Sequence, residues 1–298
     1  MKEPTLEPLS LEHQDELSGI FEAENSRSAD FCFGNYFIWD KRFKQQVAVI
    51  GGRLVTSLER GGETYFAFPA GSGAVAPAMD FMKAYCLERD IPLKICGICR
   101  EHLPLMGEDY EIFPDRDFSD YIYSIESLST FAGKHMHGKK NFCNRFEKEH
   151  DWHFEPICAE NIPLCREMLE KWHEAEDIRL EGSIVHENDA LRLAFENFSL
   201  LGLEGGILFA DGGVAGFTIG EKLNCDTFCV HFEKAFSHIA GAYPVLCREM
   251  AKMLKSTHPE IYYVNREDDM GIEALRKSKM SYKPEFILEK FTALWKMK

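Results

Sequence analysis

Residues 206–233 read GILFADGGVAGFTIGEKLNCDTFCVHFE, and this stretch decides the fold. Two apolar runs, 206–210 and 214–220, flank an Asp-Gly-Gly turn, which is the pattern of a β-hairpin. A third run, 227–232, follows a short polar connection and predicts a third strand. The segment therefore predicts a meander of three antiparallel strands.

The same order of elements occurs in the first part of the chain. Two apolar runs, 46–50 and 54–58, flank a Gly-Gly turn, and a third run, 64–68, follows a second Gly-Gly pair. Apolar residues at helical spacing predict helices before each hairpin and after each third strand, at 11–24, 31–43, 76–89, 162–175, 189–201, 244–256 and 271–279. Further short strands are predicted at 93–98, 121–125, 261–264 and 286–291.

This repeated pattern predicts an α/β protein of the α+β kind, with mixed sheets and helices on both faces. A length of 298 residues favours two domains. We expect an N-terminal domain over 1–128 and a C-terminal domain over 129–298, with the candidate site in the second.

The composition narrows the function classes. A net charge of −15 argues against general binding to nucleic acids, although a local basic patch remains compatible with gripping one RNA end or one phosphate. The sequence shows no apolar signal core and no run of roughly 18 apolar residues that would predict a membrane span. We therefore expect a cytoplasmic protein whose 10 cysteines are free thiols.

The third strand of the second half carries the most chemistry. At a period of two, Thr227, Cys229, His231 and Glu233 share one face, and apolar side chains occupy the other. Four polar groups are unusual on a central strand that only packs. We predict that this face is the floor of a cleft, where His231 or Glu233 is the general base for an attacking amine or hydroxyl. A hydrogen-bonded structural face is the alternative.

Two loops nearby predict anion binding. Gly241 and Tyr243 lie where Pro244 opens a helix, and free N–H groups at a helix start can hold a phosphate or carboxylate. Asn265 and Arg266 directly follow a predicted strand, a place where α/β proteins bind ligands, and a guanidinium there would grip an anion. An ordinary turn and an acid-rich helix start are the alternatives.

A basic cluster forms a third candidate for anion binding. Lys139, Lys140 and Asn141 lie close to Lys134 and Arg145 in an otherwise acidic chain. The cluster predicts a grip on a phosphate-bearing donor or acceptor. A solvated linker face is the alternative.

Cysteines and histidines are the candidates for redox or metal chemistry. Cys96 and Cys99 form a C-x-x-C motif, but no second cysteine pair lies at metal-site spacing, so we expect two buried thiols. The histidines of the linker region lack a cysteine or carboxylate partner at a recognised spacing; they are His135, His137, His150 and His153. We therefore predict no metal site.

An ordered series of motifs resembles one family. The series is His231-Phe-Glu-Lys-Ala235, Gly241-Ala-Tyr243, Tyr263-Val-Asn-Arg-Glu-Asp-Asp269, Gly271-Ile-Glu-Ala-Leu-Arg-Lys277 and Ser281-Tyr-Lys-Pro284, preceded by Lys139-Lys-Asn141. It is similar to uncharacterised bacterial proteins related to the C-terminal domain of phosphatidylglycerol lysyltransferase. The resemblance is strongest over about residues 130–298, and the aromatic segment near 36–43 fits it as well.

The resemblance implies two GNAT-type acyltransferase domains in tandem. Such proteins move an acyl or aminoacyl group from coenzyme A or tRNA to an amine or hydroxyl of a small molecule, lipid or peptide, without a tightly bound cofactor. It implies that Tyr282 is the acid for the leaving group and that Arg276, inside a matching motif, helps to bind donor or acceptor.

Two departures modify this expectation. The loop His238-Ile-Ala-Gly241-Ala-Tyr243 keeps only the first glycine of the pyrophosphate motif, so a coenzyme A donor is less expected. The membrane-spanning region of the lysyltransferase is absent from the sequence, which makes phosphatidylglycerol an unexpected acceptor. A silent ligand-binding module and a coenzyme A-dependent acetyltransferase are the alternative functions.

Overall fold

The computed structural model describes residues 4–175 and 183–296. Its strands are β1 Glu7–Pro8, β2 Gln46–Ile50, β3 Arg53–Arg60, β4 Glu63–Ala67, β5 Lys94–Cys99, β6 Tyr110–Pro114, β7 Asp120–Ser124, β8 Trp152–Pro156, β9 Glu204–Ala210, β10 Gly213–Lys222, β11 Thr227–Ala235, β12 Tyr263–Asn265, β13 Phe286–Leu288 and β14 Lys290–Trp295. Its α-helices are α1 Gln14–Glu24, α2 Phe33–Phe43, α3 Val75–Glu88, α4 Ile125–Thr130, α5 His137–Glu149, α6 Ile162–Ala175, α7 Ser183–Glu196, α8 Ala242–Thr257 and α9 Glu273–Ser281.

The chain forms two compact units. The first contains residues 1–120, 268–272 and 287–298, and the second contains residues 121–267 and 273–286. These units differ from two continuous segments because β14, at the C-terminal end, pairs with β5 and β6 in the first sheet. The predicted domain boundary near residue 128, which rests on the repeated order of helices and strands, stays a prediction.

The first unit is built on a mixed sheet with the strand order β1-β2-β3-β4-β5-β14-β6. The pair β4–β5 is parallel and the hairpin β2–β3 is antiparallel. Helix α3 packs Met82 and Ala78 against Phe66 and Ile95, and all four side chains are almost completely buried. Burying a side chain such as Phe66 or Ile95 contributes about 1.5–3 kcal/mol.

The second unit is built on a mixed sheet with the order β13-β7-β12-β11-β10-β9-β8. The strands β9, β10 and β11 form the meander that the sequence predicts, and β12 adds to β11 in parallel. Helix α8 crosses this sheet and buries Val245, Leu246, Met250 and Leu254, whose spacing follows one helical face. The mixed α/β fold class is thus confirmed.

Every helix and strand predicted from the sequence is present, with shifted ends, and one predicted strand is divided. Residues 286–291 form parts of β13 and β14, which belong to different sheets. No helix is predicted over the polar stretch 135–141, but the structure places its second half at the start of helix α5. That helix exists because Cys143 and Phe146 lie one turn apart and are both fully buried.

Candidate active site

An irregularity in the central strand decides where the candidate side chains lie. In the pairing of β10 with β11, Gly220 is opposite Val230 and Ile219 is opposite Phe232. His231 is therefore an extra residue on β11, which is a β-bulge. A bulge interrupts the alternation of side chains, so residues before and after it no longer follow a simple period of two.

The bulge separates the two predicted bases. Cys229 and His231 lie on one face of the sheet, where the Cys229 Sγ is 3.7 Å from the His231 Nδ1. Glu233 lies on the other face, where it lines a pocket together with Val230. The expectation that His231 and Glu233 share one face is therefore wrong, because the extra residue turns Glu233 to the opposite side.

Glu233 forms a buried ion pair with Arg266. The Arg266 Nη2 donates a hydrogen bond of 2.8 Å to the Glu233 Oε1, and the two side chains are 12% and 10% exposed. The structure positions Arg266 because it directly follows β12, the parallel neighbour of β11. A strand end and a bulged strand thus bring a base and a cation together.

Two aromatic rings surround the guanidinium. The Arg266 Cζ lies 4.5 Å from the ring centre of Tyr282 and 5.6 Å from that of Tyr123. Tyr282 directly follows α9 and is 3% exposed. The Tyr123 hydroxyl donates a 2.9 Å hydrogen bond to the Lys279 carbonyl, which ties α9 to β7.

Lys139 adds a second cation to the same cluster. Its Nζ lies 3.6 Å from the ring centre of Tyr282, so this ring contacts both Lys139 and Arg266. Such cation–π contacts are worth about 0.5–2 kcal/mol. Lys139 comes from α5 and is half-buried. It forms no ion pair with any of the described residues.

The cluster has more positive than negative charge. Lys139 and Arg266 face the single carboxylate of Glu233, and the Nη1 of Arg266 is buried without a hydrogen-bond partner among residues 4–175 and 183–296. A buried donor without a partner is costly, and such donors commonly bind a ligand or water. The cluster is therefore suited to an anionic group.

Burial shifts the proton affinities of these groups. Desolvation raises the pKa of the Glu233 carboxyl above its usual value, although Arg266 and Lys139 act against this shift. Desolvation and the nearby Arg266 lower the pKa of the Lys139 ammonium. Burial also holds the pKa of the Tyr282 hydroxyl well above its ordinary value, so this hydroxyl keeps its proton. The cluster thus contains a carboxylate of increased basicity and a phenol that stays protonated.

The pocket beside this ion pair is mainly apolar. Its polar wall is Glu233 and Arg266, and its other walls come from α4, β11, α8 and β12 through Leu128, Val230, Cys247, Met250, Ala251, Leu254 and Val264. Burial raises the pKa of the Cys247 thiol to about 12, so it stays neutral. The cavity is small, about 10 Å³, which is room for about one water molecule.

The helix start proposed for anion binding is crowded. Gly241 has φ +95°, and a Cβ at this position would lie 2.6 Å from the carbonyl oxygen of Phe142 in α5. The N–H groups of Ala242 and Val245 donate to carbonyl oxygens of the preceding loop, and Pro244 has none. Tyr243 is half-buried beside them. This geometry leaves little room for a pyrophosphate at Gly241 and Tyr243.

The remaining predicted residues lie outside the Glu233 cluster. The fully buried Asn265 accepts a 2.7 Å hydrogen bond from the Glu267 N–H, so its side chain shapes the loop. Arg276 is half-buried in α9, and Lys140 and Asn141 are exposed on α5. The structure therefore groups Lys139, Glu233, Arg266 and Tyr282 and leaves the others apart.

The thiol and histidine candidates show no common site. Burial raises the pKa of the Cys96 thiol to about 12, and that of Cys99 is raised as well, so neither forms a thiolate readily. His150 pairs with Asp211, and His153 stacks on Phe209. All ten cysteines are free.

Sequence reasoning missed several members of the site. Tyr123, Lys279 and Cys247 come from β7, α9 and α8, and nothing in their local sequence marks them. Glu267 lies in the quoted motif after Arg266 but was assigned no role. These residues are far apart in the sequence, and the strand order of the second sheet brings them together.

The fold defines a class, that of two GNAT-like domains in tandem. A tandem GNAT protein from the clavulanic acid biosynthesis pathway aligns with a TM-score of 0.50 at 11% identity and covers 98% of each chain. At this identity the likeness shows the fold alone. The tandem GNAT-like fold expected from the sequence is confirmed.

The family can be stated as well. The model of the family "Phosphatidylglycerol lysyltransferase, C-terminal" matches residues 22–294, so the chain belongs to this family. The chain is similar to a conserved protein of unknown function from Bacteroides thetaiotaomicron, with 31% identity, a TM-score of 0.92, and coverage of 98% of this chain and 100% of that one. L-PGS from Bacillus licheniformis aligns with a TM-score of 0.65 at 16% identity, over 95% and 92% of the two chains.

One curated relative is an uncharacterised protein of Mycoplasmoides gallisepticum. It is 26% identical over 190 residues, which are 61% of this chain and 58% of that protein. The match therefore spans little more than half of the relative's length. Separately, in residues 4–175 and 183–296 no helix is both long and apolar enough to cross a membrane.

Proposed function

We propose that this protein transfers an acyl or aminoacyl group from an activated donor to an amine or hydroxyl, at the cluster of Lys139, Glu233, Arg266 and Tyr282. The observation that carries the proposal is the buried Glu233–Arg266 ion pair beside an apolar pocket, next to a second cation. The name of the family to which the chain belongs refers to a lysyltransferase, and this supports an aminoacyl group as the one transferred.

The chemistry needs one base and one acid. The nucleophile attacks the carbonyl carbon of the donor, and Glu233 takes the proton that the nucleophile loses. The bond from the carbonyl carbon to the leaving oxygen or sulfur then breaks, and the Tyr282 hydroxyl gives its proton to the leaving group. Glu233 returns a proton to Tyr282 through water, so the site is restored. Most of the acceleration would come from positioning the two reactants.

The two cations have a separate task in this proposal. Arg266 offers a buried Nη1 donor and Lys139 offers an ammonium, and both would hold an anionic group of donor or acceptor, such as a phosphate. Lys140, Asn141, Asn265 and Arg276 stay predicted contributors to donor or acceptor binding at greater distance from the ion pair.

The crowded start of α8 favours an aminoacyl ester of tRNA over a coenzyme A thioester. The Phe142 carbonyl lies against Gly241, and the first-turn N–H groups of Ala242 and Val245 are already bonded. A pyrophosphate would have to displace these contacts. The proposed acceptor is an amine or hydroxyl on a small molecule, lipid or peptide, and it would have to open the small apolar cavity beside Glu233.

The experiment incubates the pure protein with a pool of aminoacyl-tRNAs or acyl-CoA thioesters and a panel of amine and hydroxyl acceptors, and detects transfer by mass spectrometry. We expect Glu233→Gln to lower transfer about 100-fold or more, since general base catalysis contributes about 10²–10⁴. Tyr282→Phe keeps the ring that contacts Lys139 and Arg266 and should lose transfer without losing stability.

The matched control is Glu147→Gln. Glu147 is also paired with an arginine, Arg248, but the Glu147 side chain is 34% exposed. Transfer by this variant should equal the wild type. No transfer from any donor, together with binding of a donor or acceptor to the pocket, would instead support the ligand-binding module.

A further inference from the structure

A second polar cluster lies on the face of the sheet opposite Glu233. The His231 Nδ1 is 2.8 Å from the Glu267 Oε1 and 3.7 Å from the Cys229 Sγ. The ligand atoms of Cys229, His231 and Glu267 all lie within 4.8 Å of one another. The proposed transfer chemistry uses none of these three side chains.

We propose that Cys229, His231 and Glu267 bind a zinc ion. A thiolate, an imidazole and a carboxylate are the three ligand types that Zn²⁺ takes in proteins, and three protein ligands with one open position are a known arrangement. The proposal replaces the expectation from the sequence that the chain has no metal site, and it does not depend on the transfer function.

The separations of Cys229 and Glu267 from the His231 Nδ1 are close to those around a tetrahedral ion. Zinc bonds of about 2.0–2.3 Å at tetrahedral angles place ligand atoms about 3.3–3.6 Å apart. The Cys229–His231 separation of 3.7 Å is already close to this, and Glu267 has to withdraw from the Nδ1 by about 0.5 Å. The Glu267 side chain is 21% exposed, and a change in its torsions would provide this shift.

Charge and burial point the same way. The His231 side chain is completely buried and Cys229 is 0% exposed. The Cys229 thiolate and the Glu267 carboxylate balance the two positive charges of Zn²⁺, so the ion and its three ligands together carry no net charge.

The surroundings of His231 resemble those of a metal ligand. The Glu221 Oε1 lies 2.9 Å from the His231 Nε2. A carboxylate on the far nitrogen holds its proton and leaves the Nδ1 lone pair for a metal, and this partner is usual for ligating histidines. Without a cation, that lone pair would face the Glu267 carboxylate, unless the ring carried a second proton.

The backbone also directs Glu267 to the cluster. Glu267 has φ +55°, a conformation that is uncommon for residues other than glycine. The Asn265 side chain stabilises it by accepting the Glu267 N–H at 2.7 Å. Strain that the surroundings hold in place is often found at ligand sites.

Cobalt is the probe, because Co²⁺ occupies zinc sites and reports on its ligands. The test uses the full chain without a histidine tag, reduced and stripped with a chelator. The exposed Cys158 and Cys225 are replaced by serine to remove adventitious thiols. We expect a single Co²⁺ per chain, with a thiolate charge-transfer band and visible bands of a tetrahedral site, and displacement by Zn²⁺.

Single substitutions distinguish the proposed zinc ligands from residues that do not bind the metal. Cys229→Ser should abolish the charge-transfer band, whereas Cys165→Ser, at a buried thiol in α6, should leave it intact. Glu221→Gln should keep the band and weaken Zn²⁺ binding about 10- to 100-fold. Glu267→Gln should weaken it further.

The wild-type titration decides the matter even if a variant fails to fold. Absence of a thiolate band in folded protein at millimolar Co²⁺ would overturn the proposal. So would a ¹⁵N spectrum in which His231 holds a proton on both nitrogens in the presence of Zn²⁺, since that ring would simply bridge Glu221 and Glu267.

Discussion

His231 and Glu233 are two positions apart on β11, yet their side chains lie on opposite faces of the second sheet. The His231 ring lies between Glu221 and Glu267, whereas Glu233 pairs with Arg266. The bulge between Val230 and Phe232 causes this separation. The two groups therefore belong to different clusters, and substitutions at them should have separable effects.

The Glu233–Arg266 pair should be strongly coupled. Glu233→Leu leaves the Arg266 guanidinium buried and unpaired, which costs about 3–5 kcal/mol of unfolding free energy. In the double variant Glu233→Leu, Arg266→Met no charge of the pair remains, and most of that loss should be recovered. Urea denaturation of the four proteins measures the coupling. Simple additivity of the two single changes would show that the pair contributes no net interaction.

The pH dependence of stability should carry the signature of Glu233. Its pKa is raised above 4.5 in the folded protein, so the folded state binds this proton more tightly than the unfolded chain. The stability gained from that proton is complete below the unfolded pKa and is lost as the pH rises through the folded pKa. The stability of the wild type relative to Glu233→Gln should therefore fall over this window and then level off. A difference that grows with pH would contradict the raised pKa.

Gly241 should tolerate no side chain. Gly241→Ala meets two penalties, a φ of +95° and a Cβ 2.6 Å from the Phe142 carbonyl oxygen. Gly212→Ala is the matched control, because Gly212 has φ +79° with open space around it. We expect the control to lose about 1 kcal/mol, and Gly241→Ala to lose clearly more because α5 must move. Equal losses in thermal or urea unfolding would mean that the contact with α5 is soft.

The sequence predicts the sheets well because their signals are local. The hairpin at 206–220 has turn residues between apolar runs, and its strands form where these signals place them. The two-unit division differs because β14 joins the first sheet by long-range pairing, which no local pattern encodes. A strand break at Glu289 is all that marks the change of sheet.

The sequence predicts only part of the candidate site, because some of its geometry also depends on long-range pairing. Glu233, Arg266, Tyr282 and Lys139 could be picked from motifs, and the structure groups them. The shared face of His231 and Glu233 was inferred from alternation, which holds only without a bulge. A bulge depends on how β10 pairs with β11, so the sequence of β11 alone does not reveal it.

Lys139 and its neighbour Lys140 provide the last test. Comparing variants at the two positions shows whether Lys139 binds an anion or is only a solvated surface charge. Lys139 is half-buried near Arg266, and desolvation and this second cation lower its pKa, whereas Lys140 is exposed. With inorganic phosphate as probe, calorimetry should show about 10-fold weaker binding for Lys139→Met and little change for Lys140→Met. Lys139→Met should also raise the unfolding free energy, because a buried cation near Arg266 is removed. A lysine that only stabilised the fold through Tyr282 would give the opposite result, lower stability with unchanged phosphate binding.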